Sequence, residues 1–356
     1  MMLQDNLPSL LLLFLVLLTV SCRSVPTTNH VVTSDAPFSI EAKSRMRAVI
    51  QKKILFDNIP SGSGLEEHNG SFYVIGDDSP YLYRLDQNYH LSERFALSDT
   101  SSFASGRVAK AVKADLEGLT KIEADGYTYL LMLGSGSTPA RNKAYLVEVP
   151  TTATAKPVIT EYALDSLYQD MQQNKEIIGD GLLNIEGVAS GAGKLYLLQR
   201  ALGSNRNVLI TFEQQEFLDY LQEGGGGSLP TYTLSFFRLP IMGVQEAGFS
   251  GAYFYEDKLF FTASIEGTTD AVADGVILGS YIGFIPLQQL STDSTVATVA
   301  PAGVITRQDG AIFTGKAESL VVLESSNRNR RYRILAVTDN DRGNSELLEI
   351  NLRLNQ

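Results

Sequence analysis

The sequence holds one cysteine and three histidines in 356 residues. A single thiol permits no intrachain disulfide, so the fold must hold by packing, and no Cys/His zinc site can be assembled. None of His30, His68 and His90 stands near a serine in a nucleophile-elbow pattern, and G-x-S-x-G is absent. Positive charge is short as well. Lys and Arg number 29 against 40 Asp and Glu, a net charge of -11. That balance argues against a nucleic-acid partner, because neutralising phosphates requires clustered cations. Gly191-Ala192-Gly193-Lys194 lacks the Ser/Thr of a phosphate loop and reads as a hairpin turn. The apolar run Leu10–Val20 is too short to span a bilayer.

What the chain has is repetition. Asn184–Phe212 reads as three short strands, Ile185–Ala189, Leu195–Leu198 and Asn207–Phe212, separated by Gly-, Asn- and Ser-rich turns. The same pattern begins at Ser63, Glu117, Glu186, Ser250 and Glu318, with steps of 54, 69, 64 and 68 residues. Several short strands per copy at such a period predict an all-β propeller of four-stranded antiparallel blades. Five blades are expected, or six if 108–115 or 239–248 carries a degenerate copy. The last copy has no fourth strand of its own. Residues near Ile54-Leu55-Phe56 are expected to fill that place and close the ring, which removes free sheet edges. Residues 165–175 and 213–223 carry helical spacing, and with 266–275 they are expected to project as insertions.

The N-terminus reads as a leader. Leu10–Val20 fits a signal-peptide core, and Thr19-Val20-Ser21-Cys22 follows it, resembling a bacterial lipobox. Residues 1–21 are then a cleaved signal, Cys22 is lipidated, and 22–44 is a polar tether ahead of one domain, 45–356. Arg23, with no aspartate after Cys22, resembles the outer-membrane pattern of Gram-negative lipoproteins. The expected location is the bacterial cell envelope, with the membrane as a partner through the lipid.

In a propeller the first strand of each blade lines the axis. Ser63, Glu117, Glu186, Ser250 and Glu318 should therefore form a ring at one level. Three converging carboxylates repel one another unless a cation, arginines, backbone amides or a shared proton intervenes. Glu117, Glu186 and Glu318 are thus candidate ligands for a hard cation such as Ca²⁺, or latches on neighbouring backbone amides. Loops after the second strands should open at the same mouth. They supply Asp77, Asp78, Arg141, Asn142, Arg200, Asn207, Asp339 and Asp341 as candidate ligand-binding groups, with the two arginines facing the ring or a small anionic ligand. Ordinary turn chemistry is the competing explanation for these residues.

The repeated Glu-Gly-Val/Leu…Leu-Tyr-Leu-Leu and Ser-Gly-Leu…Phe-Tyr-Val-Ile-Gly-Asp-Asp resemble a family of uncharacterised bacterial propeller-like proteins. More distantly they are similar to the esterase-like phytase domain and the SdiA-regulated propeller proteins. The resemblance implies a Ca²⁺ held by a glutamate with Asn or Asp from other blades, here among Glu117, Glu186, Glu318, Asn142, Asn207 and Asp339. The expectation is a lipid-anchored propeller that binds a ligand or an envelope protein at one channel mouth. The alternative is a Ca²⁺-dependent hydrolase of phosphoesters or lactones.

Overall fold

A computed structural model describes residues 45–355, apart from 101–106, 151–154, 202–205, 268–274, 291–296, 327, 329 and 340–342. The signal, Cys22 and the tether lie outside the described residues. The first strand is β1 (Met46–Phe56). A first array follows, of β2 (Gly62–His68), β3 (Ser71–Gly76), β4 (Tyr81–Leu85) and β5 (Leu91–Ala96). The second array comprises β6 (Leu116–Ala124), β7 (Tyr127–Gly134), β8 (Lys143–Glu148) and β9 (Val158–Ala163). The third comprises β10 (Ile185–Gly191), β11 (Lys194–Gln199), β12 (Asn207–Glu213) and β13 (Tyr232–Arg238). The small hairpin β14 (Ile241–Met242) and β15 (Gln245–Glu246) comes next. The fourth array contains β16 (Gly248–Tyr255), β17 (Lys258–Glu266), β18 (Ile277–Pro286) and β20 (Ala302–Thr306), while β19 (Thr298–Val299) adds to β13. The fifth contains β21 (Lys316–Ser326), β22 (Arg331–Asp339) and β23 (Ser345–Leu354).

The fourth strand of the fifth array is β1. It pairs antiparallel with β23 from Met46↔Leu354 to Phe56↔Ser345, including the expected Ile54↔Leu347. A short parallel contact, Ala48↔Ile305 and Val49↔Thr306, also ties β1 to β20. Each array is thus an antiparallel sheet with its first strand innermost, the arrangement of a β-propeller. Residues 239–248 form only the hairpin β14–β15, and 107–115 carry no strand. Residues 165–175 form α1 (Asp165–Gln173) and open α2 (Lys175–Ile178), and α3 spans Gln214–Gln222.

The core is divided into five clusters, each between consecutive sheets. Tyr73 and Ile75 meet Leu119 and Leu130, and Ile122 and Leu131 meet Val188 and Leu197. Leu198 and Leu209 meet Phe249 and Phe261. Phe260 and Ile282 meet Leu320 and Ile334, and Val321 and Leu335 return to Leu65 and Val74. This last contact closes the circle by hydrophobic burial rather than by any covalent link.

The repeated Ser/Glu-Gly now has a physical cause. In every array the register slips across one inner-strand residue. These residues are Ser63, Glu117, Glu186, Ser250 and Glu318. Each is a β-bulge, which re-aims its side chain out of the ladder. The glycine after it lets the next inner strand approach. A Cβ at Gly118 would lie 2.7 Å from Val188 Cγ1, and one at Gly251 would lie 2.2 Å from the Glu318 carbonyl oxygen.

Candidate functional site

The five bulges occupy equivalent places on the inner strands, and they divide by residue type. The serines reach across the sheet boundary. Ser63 Oγ donates to the Leu116 carbonyl, and Ser250 Oγ donates to the Ala317 carbonyl at 2.6 Å. Each thereby holds the residue preceding the neighbour's bulge. The glutamates make no such backbone bond. Glu186 and Glu318 are met by charged or polar side chains, and the latch role falls instead to residues further along the inner strands. Glu66 Oε2 accepts from Lys121 N at 2.8 Å, Thr120 Oγ1 accepts from Ser190 N at 2.9 Å, and Ser319 Oγ accepts from Leu65 N at 3.2 Å.

One side of the mouth, from the third to the fifth array, is built on Arg200. It is 3% exposed and follows β11. Its guanidinium reaches Glu266 at 2.8 Å and Glu186 at 3.5 Å, and donates to the Phe249 carbonyl at 3.1 Å and Ser264 Oγ at 3.0 Å. Gly248 makes room for it, since a Cβ there would stand 2.6 Å from Arg200 Cγ. Asn184 donates to Glu186 Oε1 at 2.7 Å, and Lys316 pairs with Glu318 at 2.7 Å and with Glu266 at 3.5 Å. Burial by itself would lower the Arg200 and Lys316 pKa values, but the surrounding carboxylates outweigh it and raise both. Burial pushes the Glu318 carboxyl well above the usual range, with Lys316 opposing and Glu186 reinforcing. Arg200 and Lys316 keep Glu266 below that range despite its burial.

The other side, from the first and second arrays, is built on Asp115, which is buried. It takes Lys113 at 2.6 Å, Arg141 at 2.6 Å and the Ser135 hydroxyl at 2.5 Å. Lys113 also pairs with Asp77, and Arg107 pairs with Asp78. Glu117 stands beside this cluster. Burial first, then Asp115, Glu186, Asp77 and Glu318, hold its carboxyl well above the usual range. Burial also raises Asp77, against the pull of Lys113.

The sequence-derived residues are placed as follows. Glu117, Glu186 and Glu318 all act on one another's charge across the mouth. Among the described residues, however, the trio whose oxygens all lie within 4.8 Å of one another is Asp77, Asp115 and Glu117. Asp77, Asp78, Arg141 and Arg200 belong to the mouth, but Arg141 meets Asp115 instead of the glutamate ring. Asn142 turns outward to Asp165 at 3.0 Å. Asn207 is fully buried, bonds the Ala247 carbonyl and accepts from Ala201 N and Phe249 N, so its amide serves the fold. Asp339 lies opposite Lys316 in the ladder and lines a neighbouring cavity of about 790 Å³. Asp341 lies outside the described residues.

The sequence reading missed Asp115, Asn184 and Lys316, all two residues before a bulge. Equivalent places hold Ser61 and Gly248, so this is a second repeat position that feeds the site. The signal was there, one step upstream in the same register.

The mouth thus gathers Asp77, Asp78, Asp115, Glu117, Glu186, Glu266 and Glu318 against Arg107, Lys113, Arg141, Arg200 and Lys316. Each of these cations has a carboxylate partner. Among the described residues, four buried carboxylate oxygens receive no hydrogen bond: Asp77 Oδ1, Asp78 Oδ1, Glu318 Oε2 and Glu186 Oε2, the last facing Arg200 at 3.5 Å. A ligand with O–H or N–H donors is what such a surface lacks.

A model of a family of unknown function, DUF6929, matches residues 58–352. No curated protein matches the sequence. Among solved structures, the glutaminyl cyclase of Myxococcus xanthus superposes at 13% identity and a TM-score of 0.45, covering 87% of this chain and 99% of that one. The arabinanase Arb43A of Bacillus subtilis does so at 11% and 0.40, covering 84% and 95%. The α-L-arabinanase of Cellvibrio cellulosa gives 10% and 0.40, covering 82% and 90%. At these scores and identities none of them carries an argument about this site.

Proposed function

The chain belongs to the DUF6929 family of unknown function, so no activity is inherited with membership, and we propose from the site alone that the protein binds a small donor-rich ligand at the charged mouth of its channel. The observation that carries this is the set of carboxylate oxygens on Asp77, Asp78, Glu186 and Glu318 that receive no hydrogen bond among the described residues. Each buried acceptor left unpaired costs about 1–3 kcal/mol. Hydroxyl or ammonium groups of a ligand would return that free energy as affinity. The unpaired groups are acceptors, and the cations already have carboxylates, so a polyol, sugar or amine fits better than the small anion expected from sequence.

Calorimetric titration with sugars, polyols and diamines tests the reading. At least one of these should bind, and Glu186→Gln with Glu318→Gln should weaken it by about tenfold or more, with the melting temperature held. Binding unchanged in the double variant, or no binding across the panel, would overturn it.

One observation favours a second reading, a hydrolase. Burial shifts the Glu117 and Glu318 carboxyls well above the usual range, the direction a general acid needs. The Ca²⁺ version fits less well. Asp77, Asp115 and Glu117 are a suitable oxygen set for a hard cation, but Lys113 already lies against two of them and Arg141 against Asp115. Saturable Ca²⁺ binding abolished by Glu117→Gln would reinstate it.

The envelope assignment is part of the same proposal. Its support is the run Leu10–Val20 ending at Cys22, the only cysteine of the chain. Palmitate labelling that disappears in Cys22→Ser, with the protein leaving the membrane fraction, is the expected result.

A further inference from the structure

Far from the mouth, the outer strands of the fifth array present an arrangement that sheet energetics disfavours. Arg47 on β1 lies directly opposite Arg353 on β23, and Arg353 lies directly opposite Arg331 on β22. Residues so paired project from the same face of a sheet, and like charges placed there are destabilising. All three are exposed, and no carboxylate pairs with any of them among the described residues. Arg333, two residues from Arg331 on the same face, has only a long 3.6 Å contact to the exposed Glu324. Arg45, Arg328 and Arg330 flank the row and are exposed too. Two shallow hollows of about 160 Å³ each lie along it. The overall balance of -11 had hidden this cluster in the sequence reading, although Arg328–Arg333 contributes four arginines in six residues.

We propose that this arginine row docks the folded body on an anionic lipid surface. Guanidinium groups match phosphate oxygens in a two-pronged geometry, and juxtamembrane cations are drawn to acidic headgroups. The position of the row is the second argument. β1 begins at Met46, inside the patch, so the row stands where the N-terminal segment joins the body. The choice of a membrane as the source of the anion rests on the anchored reading above. Twenty-two residues separate Cys22 from Arg45. Extended, they reach roughly 80 Å, so a lipid alone would tether the body without orienting it. Contact through Arg47, Arg353 and Arg331 would give it one orientation and leave the mouth with a fixed direction.

The test uses the mature chain, residues 22–356, carrying Cys22→Ser, so that neither the apolar leader nor a lipid is attached. It is mixed with vesicles of phosphatidylcholine alone or of phosphatidylcholine with phosphatidylglycerol. Preferential co-sedimentation with the phosphatidylglycerol vesicles is expected, falling with added salt. Arg47→Gln, Arg331→Gln and Arg353→Gln together should weaken it by roughly fivefold per arginine, on the order of a hundredfold in all. The triple variant should melt at the same temperature as its parent or higher, because opposed charges are removed. If it does not fold, Arg353→Gln alone, at the centre of the row, should still cost about fivefold. Equal binding to both vesicle types, or phosphatidylglycerol binding untouched in the variants, overturns the proposal. Binding to duplex DNA without a phosphatidylglycerol preference also overturns it, and assigns the row to nucleic acid. Failure of palmitate labelling at Cys22 bears on the anchored reading only, while the vesicle comparison bears on the row.

Discussion

The serine bulges and the glutamate bulges occupy one backbone position and do opposite work. Ser63 and Ser250 reach sideways and bond the neighbouring sheet. Glu186 and Glu318 stay in the mouth, paired with Arg200 and Lys316, each with one oxygen that receives no hydrogen bond among the described residues. A short hydroxyl bridges two sheets. A longer carboxylate is left to face the axis. The lesson is that a repeat can use a single bulge geometry for cohesion in two sheets and for a site in three.

That contrast can be broken most severely at Arg200. Arg200→Ala would strand Glu186 and Glu266 in a buried setting, and a loss of about 3–5 kcal/mol is expected, read by urea unfolding. If stability falls by less than 1 kcal/mol, the pairs are not what reconciles the glutamates with burial.

The next effect comes from Glu66, a carboxyl used as a latch. Burial raises it from 4.5 to about 7, despite amide bonds from Glu67 and Lys121. In the unfolded chain it titrates near its ordinary value, so its contribution is fully present below about pH 4.5 and fades as pH rises toward 7. The shift corresponds to about 3 kcal/mol. Glu66→Gln should flatten that part of the stability–pH curve, and an unchanged curve would remove Glu66 as its source.

Smaller again is Ser250→Ala, which frees the buried Ala317 carbonyl and should cost about 1–3 kcal/mol without altering ligand affinity. The least change in stability is expected for Glu318→Gln. The amide keeps the carboxyl's shape and its oxygen can still accept from Lys316, so stability should move by no more than about 0.5 kcal/mol while ligand affinity falls. If Ser250→Ala and Glu318→Gln exchange these outcomes, the division between latch and site is wrong.

The ring and the closing strand were legible in the sequence because each copy repeats the same hydrophobic runs and the same Ser/Glu-Gly step. The glutamates were legible for the same reason. Lys113 and Arg107 were not, because they enter from a loop whose path depends on tertiary packing. Asp115, Asn184 and Lys316 were missed although they repeat, since three different polar side chains share the place and only their geometry shows the common purpose. Asn142 and Asn207 misled for a plain reason: asparagine is as useful for tying loops as for holding ligands.

The pairing of β1 with β23 couples the beginning of the chain to its end. Residues 46–56 have no permanent antiparallel partner until 345–354 have been synthesised, so the ribosome must release nearly the whole polypeptide before the circle can shut. Until then an unmatched strand edge remains open at each end, and it stays open for as long as synthesis keeps those two segments apart.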